Sequence, residues 1–260
     1  MPKPRGSLDV VGVGIDGPPQ TTLIAVECMR RADKLFYLVG EPTTELWIKG
    51  LNRTASSLAD LYGEGKPRYQ TYIEITNRVL SAVRDGQRVC AAFYGHPGVL
   101  VMSSHWALRR AKREGYRTRM FPGVSADACL YADVRVNPGD CGIQSYEASD
   151  FLLHRRRIDP TSNLILWQVA VLGEPSIRAG MLPRPERLEV LVNRLQRHYP
   201  GRHRVIVYQA ATFAASKPLK RSVRLDRLSR AQITSIATLF IPALAQRNPD
   251  QKIQRWFEEQ

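Results

Sequence analysis

The sequence has few of the features that mark metal centres, secreted disulfide scaffolds or membrane spans. Its 260 residues include only four cysteines, Cys28, Cys90, Cys129 and Cys141. None of them forms a C-x-x-C pair, so we expect buried, reduced thiols rather than a disulfide framework, and no bound metal. No apolar run approaches the roughly 20 residues that span a bilayer. Residues 1–14 are partly basic but contain no cleavable apolar segment, which predicts a cytoplasmic protein.

Acidic residues are scarce relative to basic ones. The 38 lysines and arginines outnumber the 24 aspartates and glutamates, which gives a formal net charge of +14 at pH 7. The basic residues are spread along the chain, and no zinc-finger, recognition-helix or aromatic RNA-binding motif accompanies them. An acidic substrate or partner protein therefore explains the charge as well as nucleic acid does. The 43% of hydrophobic residues excludes a largely disordered chain.

Apolar runs alternate with amphipathic segments along the chain. Continuous apolar runs predict buried strands, and apolar positions at helical spacing predict the helices between them. In the first half, the predicted strands are 8–13, 34–39 and 88–94, and the predicted helices are 21–32, 72–85 and 104–114. In the second half, the predicted strands are 163–169, 204–208 and 237–241, and the predicted helix is 187–199. This alternation predicts an α/β protein with two domains, residues 1–121 and 122–260.

The turns that follow strands are the candidate site, because ligands of such sheets bind beyond the carboxyl ends of the strands. Gly12 and Gly14 follow the first strand, but the third glycine of a dinucleotide fingerprint and the Lys-Ser/Thr pair of a phosphate loop are absent, which argues against NAD and ATP. The segment YGHPGV at 94–99 has two glycines and a proline, which impose an irregular backbone that can approach a ligand closely. His96 within it either contacts a ligand or hydrogen-bonds the loop backbone.

Three segments in this order resemble the motifs of tetrapyrrole methylases. They are GVGIDGPPQTTLIAVECMRRADKLFYLV from residue 12, FYGHPGV from residue 93 and MFPGVSADACLYADV from residue 120. The resemblance covers nearly the whole chain. It implies the two-domain α/β fold of class III methyltransferases, which use S-adenosylmethionine and have a cofactor cleft between the domains.

Other segments are similar to those of borosin-type enzymes within that superfamily. They are YGEGKPRYQTY (62–72), PGVSADACLYAD (122–133), QSYEASDFL (144–152) and ILWQVAVLGE (165–174). Borosin enzymes α-N-methylate backbone amides of a ribosomally made precursor peptide, so the resemblance implies a peptide substrate and a homodimer, and no metal, membrane or nucleic-acid partner. The last residues, QRNPDQKIQRWFEEQ, lack the small apolar residues of a methylated core. We therefore expect the split form, which acts in trans on a separate precursor.

The resemblance also assigns the residues that bind S-adenosylmethionine, with S-adenosylhomocysteine as the product. An adenine ring needs apolar walls and a few backbone or amide hydrogen bonds. The positions that match the family motifs, at or near predicted strand ends, are Tyr94, His96, Val99, Leu100, Ser125, Ala126, Gln168, Ala210 and Thr238. Residues 133–151 would form a lid or a substrate-binding segment.

A tyrosine and arginine cluster suits the chemistry of amide methylation. A peptide nitrogen is a poor nucleophile because its lone pair is delocalised, so its proton must be removed. Tyrosine, with a reference pKa of about 10, is a useful base once ionised, and a neighbouring guanidinium favours the phenolate and stabilises charge on the amide oxygen. Arg68 and Tyr72 would share a helix face if the helix begins early. We predict that Tyr72 or Tyr62 is the base, assisted by Arg68; otherwise these side chains are a surface cation and packing residues.

Two other functions stay open. A methyltransferase acting on a tetrapyrrole carbon or another small molecule would suit a substrate with many carboxylates, given the charge of +14. A protein that kept the fold and lost catalysis would bind nucleic acid or a partner, with strong salt dependence for nucleic acid, and would not bind S-adenosylmethionine.

Overall fold

The computed structural model describes residues 6–176, 181–213, 215–245 and 249–259. Contacts group them into two compact units. Unit 1 comprises the chain up to Arg135 and two short segments that begin at Glu174 and Ala210, and unit 2 comprises the remainder. The domain boundary predicted after residue 121 stays a prediction, and the contacts of unit 1 continue beyond it to Arg135.

Unit 1 is built on a parallel sheet of five strands, β1 (Ser7–Gly12), β2 (Lys34–Leu38), β3 (Ser56–Ser57), β4 (Arg88–Phe93) and β5 (Arg117–Phe121). Their order across the sheet is β3-β2-β4-β1-β5. The central strands β1 and β4 are buried along most of their length, since helices cover both faces of the sheet. The continuous apolar runs in their sequences are the signal of this double burial.

The helices of unit 1 are α1 (Leu23–Arg31), α2 (Pro42–Leu51), α3 (Arg68–Arg84), α4 (Met102–Arg113) and α5 (Ala126–Val134). Successive residues of a strand point to opposite faces. Val10 of β1 therefore joins the core under α3 and α4 with Val79 and Ala107. Val11 joins the core under α1 and α2 with Met29 and Ile48.

Unit 2 contains a mixed sheet of β6 (Ile143–Glu147), β7 (Asn163–Trp167), β8 (Arg204–Gln209), β9 (Leu219–Arg224) and β10 (Thr238–Ile241). Their order is β6-β7-β10-β8-β9, in which only β6 and β7 run parallel. The helices are α6 (Pro138–Cys141), α7 (Ala148–Leu153), α8 (Pro185–Leu195) and α9 (Gln251–Glu258). The apolar face of α8 packs on the core of this sheet through Leu188, Leu191, Val192 and Leu195.

The α/β class is confirmed, but one local prediction is wrong. Thr238 begins its strand rather than ending one, because β10 runs antiparallel to β7 and β8. That pairing still places Thr238 opposite Tyr208, near the end of β8. The stretch 133–151 includes β6, which pairs with β7 in the sheet, and its role as a lid or a substrate-binding segment stays a prediction.

The described residues bear on the expectations drawn from composition for the cysteines, membrane spans and metal sites. Cys28 and Cys90 are buried free thiols, whereas Cys129 and Cys141 are only partly buried, so the expectation of burial holds for two of them. Throughout residues 6–176, 181–213, 215–245 and 249–259, every helix is too short or too polar to cross a bilayer. In the same ranges, no three His, Cys, Asp or Glu side chains are grouped as a metal site requires.

Candidate active site

Glycines at three strand ends bring the main chains of unit 1 together. Gly12 ends β1, Gly95 follows β4 and Gly123 follows β5. A Cβ atom at Gly12 would lie 2.3 Å from the Gly95 carbonyl oxygen, and one at Gly123 would lie 2.4 Å from the same oxygen, so neither position has room for a side chain. The close approach seen here is between loops of the protein itself. An approach of the Gly95 backbone to a ligand stays a prediction.

His96 belongs to the hydrogen bonding of its own loop. Its Nδ1 accepts a hydrogen bond from the Gly98 amide at 2.9 Å. His105 of α4 donates from Nε2 to the Gly98 carbonyl at 2.9 Å, and the Ser104 hydroxyl donates to the Pro97 carbonyl. Of the two roles considered for His96, the structure contains the backbone role. A ligand contact by His96 stays a prediction.

The same loop presents large apolar side chains to solvent. Tyr94 is 39% exposed, Val99 36% and Leu100 45%. Leu100 has a φ of 57°, a left-handed conformation that is uncommon and strained outside glycine. Desolvation, followed by the nearby Cys129 and Glu41, raises the pKa of Tyr94 to about 12, so its hydroxyl is neutral at pH 7. A strained loop that exposes apolar groups offers a surface for the apolar part of a ligand.

Helix α5 begins directly after the β5 turn, beside this loop. Ser125 is the residue before its first turn, is 9% exposed and donates its hydroxyl to the Asp127 carboxylate. Ala126 is the first helical residue and is partly buried. The first amides of a helix have no partners within the helix, so the start of α5 offers N–H donors to a carboxylate. The contact of Gly123 with Gly95 brings this turn next to the loop after β4.

The other residues predicted to bind the cofactor are divided between the units. In unit 2, Gln168 directly follows β7 with a left-handed backbone (φ 58°), and Thr238 is 5% exposed. Both lie at the same edge of the unit 2 sheet. Ala210 belongs to unit 1 and is 8% exposed. Within unit 1, the segment of Ala210 contacts the loop before α2, because the Thr212 hydroxyl donates to the Glu41 carboxylate at 3.0 Å.

Arg68 lies in the first turn of α3, where several hydrogen bonds meet. The helix begins right after Pro67, one turn earlier than the periodicity predicts, because proline is tolerated before and in the first turn of a helix. Arg68 Nη2 donates to the Glu174 carbonyl at 2.8 Å, and its main-chain amide donates to the Pro175 carbonyl at 2.9 Å. Its guanidinium also hydrogen-bonds the Tyr72 hydroxyl one turn further on. Arg68 is therefore a partly buried cation that both its main chain and its side chain anchor.

Burial outweighs Arg68 in setting the pKa values of the two tyrosines. Desolvation raises the pKa of Tyr62 to about 12; neighbouring Tyr72 raises it further, and Arg68 opposes both effects. Desolvation also raises the pKa of Tyr72, and the charge and hydrogen bond of Arg68 offset this only in part. The structure thus brings Tyr62, Arg68 and Tyr72 together. The expected effect of Arg68 has the right sign, but both phenols are neutral at pH 7.

Lys66, which no sequence motif marks as a site residue, connects the turn of Tyr62 to α3. Lys66 Nζ donates to the Leu61 carbonyl at 2.8 Å and forms a short ion pair with Glu74 of α3. Gln70 also donates to Glu74, at 3.2 Å. The Gln70 and Glu74 pair has the recognisable i,i+4 spacing of a helix. The lysine reaches back across a glycine-rich turn, an arrangement that has no local sequence pattern.

The chain matches the model of the family described as Tetrapyrrole (Corrin/Porphyrin) Methylases over residues 7–225. The match includes the glycines at the ends of β1, β4 and β5, the loop after β4 and the cluster around Arg68. The chain therefore belongs to the tetrapyrrole methylase family, as the sequence motifs predict.

Curated relatives are similar to the chain over most of its length. The chain is 37% identical, over 98% of its length, to a methyltransferase/ribosomally synthesized cyclic peptide gymnopeptides precursor of Gymnopus fusipes. It is 36% identical, over 92% of its length, to a methyltransferase/ribosomally synthesized type I borosin cyclic peptide precursor of Coprinopsis marcescibilis. The matches cover 62% and 63% of those two proteins, so the chain spans less than two thirds of the curated relatives.

Solved structures agree with the fold. The crystal structure of uroporphyrin-III-C-methyltransferase from Thermus thermophilus superposes with a TM-score of 0.65, covering 92% of both chains at 19% sequence identity. At this level of identity the likeness concerns the fold alone. It supports the two-sheet α/β architecture described above.

Proposed function

We propose that this chain is an S-adenosylmethionine-dependent methyltransferase that α-N-methylates backbone amides of a precursor peptide. One observation carries the proposal: an anchored guanidinium, that of Arg68, lies among the half-buried phenols of Tyr62 and Tyr72. An amide nitrogen needs both a base for its proton and a partner for the charge on its oxygen. This cluster offers both. The peptide-precursor names of the relatives support a peptide as the substrate.

The proton of the amide goes to a phenolate oxygen in this proposal. Tyr72 is the preferred base, because its hydroxyl is the one that Arg68 hydrogen-bonds. That bond and the positive charge both favour the ionised phenol. Tyr62 is the second candidate, and its higher barrier to ionisation follows from its pKa of about 12. Because both phenols are neutral at pH 7, only a small fraction of the enzyme would be in the active form there.

Arg68 would also bind the amide oxygen. A guanidinium carries five N–H donors in a planar fork, enough to hold the Tyr72 hydroxyl, the Glu174 carbonyl and an amide oxygen together. Anchoring by Glu174 fixes the orientation of the fork before substrate binds. Donors that are already oriented stabilise developing charge without reorganising during the reaction.

S-adenosylmethionine would supply a reactive methyl group and leave as S-adenosylhomocysteine. The residues of unit 1 fit its parts: Tyr94, Val99 and Leu100 present exposed apolar surface, and the start of α5 at Ser125 and Ala126 offers amides to a carboxylate. Gln168, Ala210 and Thr238 are assigned to the adenosine by the resemblance to the family. His96 would keep the loop in shape through the Gly98 amide.

A separate precursor peptide, methylated in trans, stays part of the proposal. The test is to incubate the chain with S-adenosylmethionine and each short peptide encoded beside its gene, and to locate added methyl groups by tandem mass spectrometry. Methyl groups on backbone nitrogens are expected with the wild type. Arg68→Ala and Tyr72→Phe should keep cofactor affinity by calorimetry and lose most turnover.

Another outcome would redirect the assignment. Methylation of a porphyrinogen at an unchanged rate in Arg68→Ala would make the substrate a tetrapyrrole and remove Arg68 from the chemistry. Failure to bind S-adenosylmethionine would leave a binding protein on an enzyme fold.

A further inference from the structure

A groove between α3 and α4 lies outside the proposed catalytic cluster. It has a volume of about 360 Å³ and is lined by Ile73, Thr76, Asn77, Trp106, Arg109, Arg110 and Arg113. The two helices are joined beneath it, where the Thr76 hydroxyl donates to the buried Ser103 carbonyl at 3.4 Å. We call this feature the α3–α4 groove.

One side of the α3–α4 groove is apolar and aromatic. Tyr69 is 61% exposed and Ile73 is 40% exposed. The ring of Tyr69 packs edge-on against that of Trp106, with 5.0 Å between the centroids. Large apolar side chains grouped in the open favour a partner that removes them from water.

The other side of the α3–α4 groove is positively charged. Arg110 donates to the Asn77 side-chain oxygen at 3.0 Å, and the Glu114 carboxylate, 3.4 Å away, partly neutralises its charge. Arg109 and Arg113 are exposed. Within the part of the chain that the structure describes, neither forms an ion pair with a carboxylate. None of the residues that line the groove is acidic, so an occupant meets a net positive field, to which Arg109 and Arg113 contribute most.

We propose that the α3–α4 groove binds an acidic stretch of the peptide substrate. An apolar side chain of the peptide would lie against Tyr69, Ile73 and Trp106, and its carboxylates would pair with Arg109 and Arg113. Arginine is suited to this because its fork binds a carboxylate through two parallel hydrogen bonds. The inference rests on the proposed function, and it names the part of the substrate that is recognised rather than methylated.

The position of the groove on α3 connects recognition to the chemistry. Tyr69 directly follows Arg68, and Ile73 directly follows Tyr72. Neighbouring residues of a helix are separated by about 100° of rotation, so the apolar side of the groove adjoins the face of α3 that presents the cluster. When part of a peptide is bound in the groove, the peptide residues next to that part would lie near the face of α3 that carries Arg68 and Tyr72.

The aromatic pair favours peptide over single-stranded nucleic acid. Bases are bound by aromatic rings whose faces are open for stacking. Here the edge-on contact between Tyr69 and Trp106 occupies part of that surface. The apolar side chain of Ile73 adds area that suits an aliphatic or aromatic side chain of a peptide.

Fluorescence anisotropy tests the groove without turnover. The probe is a short fluorescein-labelled peptide in which glutamates flank a leucine, titrated with the full chain in the absence of cofactor. Arg109→Glu with Arg113→Glu should weaken binding at least about tenfold. The control, Arg197→Glu with Arg202→Glu, makes the same charge change at two exposed arginines of unit 2 and should bind as the wild type does.

A charge-swapped peptide separates recognition from misfolding. The Arg109→Glu/Arg113→Glu variant should bind the same peptide with lysines in place of glutamates more tightly than the wild type does, which an unfolded variant could not do. Unchanged binding of the glutamate peptide would overturn the proposal. Binding of an oligouridylate to the same groove more tightly than the glutamate peptide would also overturn it. Altered sedimentation of the variant with unchanged peptide binding would overturn it too, because it would indicate a self-association surface.

This measurement is independent of the proposed function. If no peptide is methylated but the glutamate peptide still binds through Arg109 and Arg113, the proposed reaction fails and the groove assignment stands.

Discussion

Replacement of Arg68 by glutamine tests the proposed chemistry most directly. The substitution removes the charge and the hydrogen bond that favour ionisation of Tyr72. It keeps the main-chain bond from residue 68 to the Pro175 carbonyl, which does not depend on the side chain. The start of α3 should therefore stay in place, and the change in rate should report the loss of the guanidinium.

The size of the effect follows from the hydrogen bonds that the guanidinium makes. A hydrogen bond to a charged group contributes about 1.5–3 kcal/mol, and losing it only from the ionised state slows the reaction by about ten- to hundredfold. Loss of the partner for the amide oxygen adds a comparable factor, since removal of one oxyanion donor costs about 10²–10³ in kcat. We expect kcat for Arg68→Gln to fall by about 10³ or more.

The assay is single-turnover methylation followed by mass spectrometry, with cofactor affinity measured by calorimetry. Arg78→Gln is the matched control, because Arg78 lies on the same helix and pairs with Asp60 at an exposed site. Such surface pairs contribute about 0–1 kcal/mol, so its rate and melting temperature should stay near those of the wild type. A fall of kcat in Arg68→Gln of less than about threefold would refute the role of Arg68, given the energies above.

Three further outcomes are expected. Gly12→Ala should lower the free energy of unfolding in urea by about 3 kcal/mol or more, because its Cβ would overlap the Gly95 carbonyl. The control is Gly50→Ala, on α2 with open space around it, which should raise the free energy of unfolding by about 0.5–1 kcal/mol. Lys66→Met should reduce kcat severalfold and leave cofactor affinity unchanged, since the turn of Tyr62 loses its tie to α3. The methylation rate should also rise with pH. Burial raises the pKa of Tyr62 to about 12, so the fraction of phenolate grows as pH approaches that value. Because the phenolate is the proposed base, kcat should increase about tenfold per pH unit between 7 and 9. A rate that is flat over this range would exclude both tyrosines as the base.

Buried elements of the fold could be predicted from the sequence, and edge elements could not. The strands β1 and β4 are continuous apolar runs because both of their faces are covered. The edge strand β5 has the sequence RTRMF, with Arg117 and Arg119 pointing to solvent. The edge strand β9, LKRSVR, likewise alternates exposed and half-buried residues. One exposed face removes the apolar run, so sequence periodicity does not mark these strands.

In the candidate site, too, contacts between residues close in sequence could be predicted, and contacts between distant residues could not. The spacing of Arg68 and Tyr72 is local, so a shared helix face could be predicted. The anchors of Arg68 at Glu174 and Pro175 come from a distant part of the chain and leave no pattern near it. The direction of the Tyr62 pKa shift depends on burial, which a motif does not encode.

The long-range anchor of Arg68 has a consequence for how the protein is made. The carbonyl that orients its guanidinium lies 106 positions later in the chain. During synthesis, α3 and its tyrosines leave the ribosome well before Glu174 does, and β7 of unit 2 emerges in between. Domains generally begin to fold from the N-terminus as they emerge. A nascent chain that stops short of Glu174 would thus contain all five strands of the unit 1 sheet but lack the carbonyl that orients Arg68. We therefore expect the cluster to become competent late, after the first strands of the other unit have been translated.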